Sequence, residues 1–218
     1  MKPLISKNPF FRIFSFLLYY VIATPLLLLF DWLVFGIRVR GRRHIRQVKG
    51  QGAVLVCNHV HPFDCTFLGL LFWPRRAVFT SLERLFSVPV VGPLIHWMGS
   101  VPVPFAPSKM RFFLDEMVRA VQGGRLLCIY PEGELLLRCG HLREFREGAF
   151  TIAARAEAPV IPVMVTSRPP AGLWRLFKRR PCMTITAGEP IYPDVSLPAR
   201  QRARQLHVQA LYQMKNMQ

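Results

Sequence analysis

Short runs in which nearly every residue is apolar punctuate the chain at 53–57, 77–80, 126–130, 160–165 and 183–187, each closing at proline, glycine or polar residues. Uninterrupted apolarity over so short a length is the pattern of strands covered on both faces. Residues 101–104 add a segment held extended by its prolines. Helical spacing takes over between the runs. Phe113, Leu114, Met117, Val118 and Val121 line one face of 109–122, Lys109, Arg111, Asp115, Glu116 and Arg119 the other, and Gly123-Gly124 stops the helix. Residues 65–72 read as an apolar helix closed by Trp73-Pro74, and 81–86 and 89–98 as two short helical pieces whose main role is filling the core, with lining an apolar groove as the alternative. A further helix opens near Phe145 and ends before Pro159, and a last one over 199–214 carries Ala203, Leu206, Ala210 and Met214 on one face. Strands alternating with helices predict an α/β domain: a mixed, mainly parallel central sheet flanked by helices, with its functional turns gathered at one edge.

The N-terminus breaks this pattern. Residues 13–30 are uncharged and almost wholly apolar, close to the roughly 17 residues needed to cross a bilayer, and Asp31 ends the stretch. Lys2, Lys7 and Arg12 flank the stretch on one side and Arg38, Arg40, Arg42 and Arg43 on the other, so charge does not orient a span. Pro25 sits where a bend would return the chain to its starting face. The expectation is an N-terminal membrane-embedded helical segment, a hairpin or interfacial helix held from the cytoplasmic face of the membrane. A single span is the alternative, a buried core helix a weaker third reading, and no small-residue cleavage site marks a signal peptide. Residues 1–43 are then the attachment and basic linker, and 44–218 the catalytic domain.

Charge narrows the partners. Lysine and arginine outnumber acidic residues 29 to 12, for a net charge of +17, while 51% of residues are hydrophobic. A basic chain seeks an anionic partner, and this much apolar surface favours anionic membrane lipids over nucleic acid. The loop over 167–181 repeats that mixture, setting Arg168, Arg175, Lys178, Arg179 and Arg180 around Leu173, Trp174 and Phe177. Five cysteines without framework spacing point to reduced thiols in a cytoplasmic compartment. His59, His61, Asp64 and Cys65 have metal-binding side chains, but no second ligand cluster follows, and no metal or cofactor is expected.

The chemistry concentrates after the first buried run, at Asn58-His59-Val60-His61-Pro62-Phe63-Asp64. Pro62 suits the first position of a following helix, which places His59 on the turn and Asp64 near the third helical residue. Five residues apart, the two would diverge on one continuous helix. The turn is what brings a candidate base to a candidate orienting carboxylate. A capping aspartate and a plain loop histidine are the competing reading.

Further blocks follow in order: Tyr130-Pro131-Glu132-Gly133, Phe145-Arg146-Glu147-Gly148-Ala149 and Val160-Ile161-Pro162-Val163. With the NHxxxxD pattern of Asn58, His59 and Asp64, this ordered set resembles the glycerolipid acyltransferase family of the 1-acylglycerol-3-phosphate type, over roughly residues 35–190. The resemblance implies an O-acyltransferase of phospholipid biosynthesis. It would move a fatty acyl group from acyl-CoA or an acyl carrier protein thioester to the hydroxyl of a lysophospholipid, most simply making phosphatidic acid. It also implies His59 as general base with Asp64 orienting it, and Asn58, Glu132 and Gly133 at the substrate. Two departures stand out. Phe105 and the pair Glu134-Leu135 occupy positions where the family places arginines that grip the acceptor phosphate. Arg138, Arg143 and Arg146 are the candidates to replace them. The alternatives are the same chemistry on another lysolipid or an aminolipid, and, more remotely, a basic binding protein without catalysis.

Overall fold

The computed structural model describes residues 4–6 and 8–218; Lys2 and Lys7 of the expected basic flank lie outside the described residues. One helix runs without a break from Pro9 to Phe35. It consists of α1 (Pro9–Leu17), a π-helical turn (Leu18–Ala23) and α2 (Thr24–Phe35). The hairpin expected at Pro25 therefore does not form. A proline in a regular helix collides with the carbonyl four residues back, and the wider π turn just ahead of Pro25 relieves that clash. Asn8 caps the start, its side chain accepting from the Phe10 and Phe11 N–H groups, and Gly36, with φ of 53°, ends the helix in the left-handed conformation.

The rest alternates much as the apolar runs indicate. After β1 (Arg38–Arg40) and α3 (Arg42–Gln47) come β2 (Ala53–Cys57), α4 (Asp64–Phe72) and β3 (Ala77–Leu82). A 3-10 turn (Glu83–Ser87) and α5 (Val91–Trp97) lead to β4 (Ser100–Val103), α6 (Pro107–Gln122) and β5 (Leu126–Ile129). Then follow α7 (Gly148–Ala156), β6 (Val160–Arg168), α8 (Trp174–Phe177), β7 (Cys182–Ala187) and α9 (Ala199–Lys215). The seven strands form one sheet in the order β1-β7-β6-β2-β5-β3-β4. Every pairing is parallel except β6 with β7, so β1 and β7 run against the other five.

β2, at the centre, shows why its sequence is apolar throughout. Val54 and Val56 point into one core with Phe113 and Met117 of α6, Phe150 and Ile152 of α7, and Leu206 and Met214 of α9. Ala53, Leu55 and Cys57 point into the other, with Ile45 of α3 and Phe67, Leu68, Leu71 and Phe72 of α4. Both faces are covered, so the side-chain alternation of a strand leaves no polar position.

Four expectations are corrected. Residues 81–98 do not fill the core: Leu82, Leu85, Val88, Val90, Val91, Leu94 and Trp97 are exposed, and only Gly92 of α5 is buried. Their elements cover one end of the sheet, and α1 packs on α5 there only in part, through Phe11 against His96 and Phe14 against Trp97. Residues 38–40, read as basic linker, form an edge strand because alternate side chains of β1 face solvent, where arginines are tolerated. Helix α4 starts at Asp64 and not at Pro62, since the Asp64 N–H is drawn to the His61 carbonyl at 3.0 Å in a tight turn. Asp31 does not end the apolar helix but sits inside it, fully buried, accepting from the Thr66 hydroxyl of α4 at 2.9 Å.

That last bond belongs to a series. The Ser15 hydroxyl and the Arg76 guanidinium both donate to the Trp97 carbonyl, the Tyr20 hydroxyl donates to the Pro74 carbonyl at 2.9 Å, and Phe35 packs edge-on against His61 and Phe67. The helix, about 40 Å long by its rise per residue, thus lies along the domain. Its outer face, with Phe10, Ile13, Val21, Leu26, Leu29 and Trp32, is exposed and apolar.

Candidate active site

The C-terminal ends of three adjacent parallel strands, β6, β2 and β5, meet at one place, and the predicted residues follow from them. Asn58 extends β2 by one position. Its side-chain amide replaces a peptide group toward β6, donating to the Val165 carbonyl at 2.9 Å and accepting from the Val165 N–H at 2.7 Å. His59 then leaves the sheet. Its Nδ1 lies 3.0 Å from Asp64 Oδ2, which also accepts the N–H groups of Val60 at 2.8 Å and His61 at 2.9 Å. A single carboxylate oxygen thereby closes the turn and accepts the imidazole N–H, while α4, with Phe63 at its N-cap, has no side-chain cap. Asp64 is fully buried, whereas the His59 side chain keeps 22% of its surface exposed. Its Nε2 has no partner among the described residues. With Nδ1–H donating to Asp64, Nε2 carries the lone pair.

Tyr130 at the end of β5 holds the ring from the side. The His59 and Tyr130 rings stack 4.0 Å apart at 13°. The Tyr130 hydroxyl is buried without a partner among the described residues, and burial pushes its pKa well above the ordinary phenol value. This positioning partner escaped the reading of the residues: Tyr130 is visible as part of a block, but stacking depends on the pairing of β2 with β5. Replacing Tyr130 by phenylalanine removes an unpaired buried hydroxyl and keeps the stack. The variant is expected to melt a few degrees higher, from a gain of about 1 kcal/mol, with activity unchanged; thermal unfolding and initial rates check both.

Glu132 is held from inside the molecule. Its Oε2 accepts the His59 backbone N–H at 3.2 Å and the Arg143 guanidinium at 2.7 and 3.2 Å, and its Oε1 accepts the Arg143 backbone N–H at 3.3 Å. Arg143 also donates to the Glu134 carbonyl. Both side chains are thus engaged with each other and with the backbone behind the imidazole. Gly133 adopts φ of 77°, and a Cβ there would lie 2.7 Å from the Arg146 guanidinium carbon. Only glycine lets that cation lie over the turn. The following loop runs beside the catalytic turn, the N–H groups of Leu136 and Arg138 donating to the carbonyls of His59 and Val60 at 3.2 and 3.0 Å. Arg138 and Arg146 are exposed and have no acidic partner among the described residues. His61 faces away, against Phe35 and Phe67. Burial lowers its pKa from the ordinary value; Asp64 opposes the shift and the Arg138 cation adds to it.

This arrangement places an aspartate-held imidazole at the carboxyl edge of a mainly parallel sheet, with arginines that have no acidic partner among the described residues around it. A family model described as Acyltransferase matches residues 36–166, more than half of the chain, and the protein belongs to that family. Among curated relatives, the chloroplastic 1-acyl-sn-glycerol-3-phosphate acyltransferase BAT2 of Brassica napus is 33% identical over 111 residues, covering 50% of this chain and 31% of its own. Human 1-acyl-sn-glycerol-3-phosphate acyltransferase beta is 31% identical over 140 residues, covering 61% and 48%. The Bacillus subtilis 1-acyl-sn-glycerol-3-phosphate acyltransferase is 24% identical over 172 residues, covering 77% and 80%. This chain spans only about a third to a half of the plant and human relatives. Among solved structures, that of the 1-acyl-sn-glycerophosphate acyltransferase PlsC of Thermotoga maritima superposes with a TM-score of 0.63 over 98% of this chain and 89% of its own, at 19% identity, a likeness of fold.

Proposed function

We propose that this protein transfers a fatty acyl group from an acyl-CoA or acyl carrier protein thioester to the free hydroxyl of 1-acylglycerol-3-phosphate, giving phosphatidic acid. The observation that carries the reading is the 3.0 Å contact of His59 Nδ1 with buried Asp64, which leaves Nε2 free at the exposed rim of the turn. Nε2 takes the hydroxyl proton as the oxygen attacks the thioester carbonyl. The imidazolium so formed is stabilised by Asp64, and its proton then passes to the departing thiolate as the tetrahedral intermediate collapses. No covalent acyl-enzyme is needed.

Asn58 and Glu132 act as positioning residues on this reading, one tying the turn to β6 and the other holding the His59 backbone. Gly133 gives Arg146 its place, and Arg138 and Arg146 are the cations that meet the acceptor phosphate. Changing either to glutamine is expected to raise the KM for lysophosphatidic acid about tenfold, the worth of one charge-assisted contact, with kcat little changed. Steady-state kinetics at varied acceptor concentration decide it. The Pro9–Phe35 helix serves attachment, and the α/β domain, β1 included, serves catalysis. The bonds spaced along the Pro9–Phe35 helix favour a monotopic attachment over a span, since a helix flush with a domain cannot leave it to cross a bilayer. Five free thiols, one of them exposed, fit the reducing cytoplasmic side.

Phe105, 95% exposed, and the exposed Leu135 favour a second reading, in which the acceptor is a lysolipid without a phosphomonoester. Purified protein in anionic lipid, offered labelled acyl-CoA or acyl carrier protein with a panel of lysolipids, separates the two. Transfer to lysophosphatidic acid supports the first, transfer solely to another acceptor replaces it with the second, and transfer to none removes both.

A further inference from the structure

Helix α8 is a short structured piece inside the loop that joins the two antiparallel strands, and it is built the wrong way round for a soluble surface. Leu173, Leu176 and Phe177 are exposed by 76%, 76% and 79%. Four cations, Arg175, Lys178, Arg179 and Arg180, surround them, and no acidic residue occurs from 158 to 188. Uncompensated charge and bare apolar side chains together would be costly if water were their only neighbour.

The position of α8 removes the puzzle. Trp174 stacks edge-on against Trp32 of α2 with ring centres 5.3 Å apart, and Lys178 donates to the Val34 carbonyl while lying 5.1 Å over the Trp174 ring. Arg168 donates to the Gly36 carbonyl at 2.7 Å, fixing the same end of the helix from the root of the loop. The exposed apolar face of the long helix, with Leu29, Trp32 and Leu33, therefore continues into Leu173, Leu176 and Phe177, with cations beside it. Apolar side chains next to unpaired cations match the acyl chains and anionic headgroups of a lipid leaflet.

We propose that α8 is a second membrane-docking element, inserting Leu173, Leu176 and Phe177 among acyl chains while Arg175, Arg179 and Arg180 engage anionic headgroups. It rests on the flush placement of the Pro9–Phe35 helix, and adds a fixed point beside that helix's C-terminal end. Since Phe35 there packs against His61, the two elements together set the height of the catalytic turn above the leaflet.

The test installs the photoreactive residue p-benzoylphenylalanine in the full chain at Phe177, at Leu29 on the long helix, or at Val208 on the exposed side of α9. Each is irradiated on vesicles of phosphatidylcholine with labelled phosphatidylglycerol. Lipid adducts are expected at Phe177 and Leu29, and no more than background at Val208. The R179Q/R180Q variant is expected to lower the phosphatidylglycerol yield at Phe177 about fivefold per cation removed, while leaving transfer to detergent-dispersed acceptor intact. Adducts at Leu29 without any at Phe177 would overturn the role of α8 and leave the flush helix standing. Adducts at neither would remove the flush helix as well. Crosslinking of Phe177 to added acyl carrier protein in preference to lipid would show that the surface serves an acidic protein instead.

Discussion

Replacing His59 by alanine is expected to reduce acyl transfer roughly 10⁴-fold, with the melting temperature little changed. On the proposed reaction the attacking alcohol is a poor nucleophile at neutral pH, and no other group among the described residues at the site is placed to take its proton. The imidazole is also partly exposed and bonds through its side chain to Asp64 alone, so its removal leaves the sheet intact. Asp64→Asn should reduce the rate by less, for a different reason: the Val60 and His61 N–H groups hold the amide oxygen where Oδ2 stood, so Nδ1–H keeps its acceptor but the imidazolium loses the charge that stabilises it. The double variant should match His59→Ala, because no imidazolium then forms for a carboxylate to stabilise. Single-turnover measurement with labelled thioester checks the series. A His59→Ala protein that retained more than a tenth of the wild-type rate would show that another group is the base.

Arg143→Ala is expected to cost about 3–5 kcal/mol of stability, and to lower the melting temperature by about 10 °C. The reason is the carboxylate left behind. Glu132 has 1% of its side chain exposed, and without the guanidinium it keeps only backbone N–H partners for its charge. Pairing Arg143→Met with Glu132→Leu removes both charges and should restore most of the lost stability. Activity should not return with it, since the His59 N–H would then lack its acceptor and the turn its rear support. Thermal melts and initial rates on the same three proteins test this. Recovery of both quantities in the double variant would reduce the pair to a purely structural one.

The parts legible in the sequence are those decided locally. The uninterrupted apolarity of 53–57 and 160–165 reflects strands covered on both faces, and the helical spacing of 109–122 reflects a helix covered on one. His59 and Asp64 are close because a single turn makes them so. What escaped depends on neighbours that the local pattern does not contain. The exposed side chains of 81–98 look like core in sequence, because composition alone does not say whether an apolar side chain is covered. The bend expected at Pro25 is forestalled by a π turn, which has no residue signature. The division of labour among Arg138, Arg143 and Arg146 is set by which of them lies within reach of Glu132, and their spacing says nothing of that. The stack of Tyr130 on His59 likewise follows from strand order, since β5 lies beside β2 only after the sheet is assembled.

The helix that lies flush along the domain changes what concentration means for this protein. On the membrane-attached reading, acceptor and product stay in one leaflet, and the catalytic turn meets them by lateral diffusion and not by collision from bulk water. The acceptor's mole fraction among its neighbouring lipids, and not its molarity, then sets the rate. Diluting the leaflet with inert lipid slows the reaction even when the total amount of acceptor is unchanged, and the membrane's own composition becomes a control on the synthesis of its lipids.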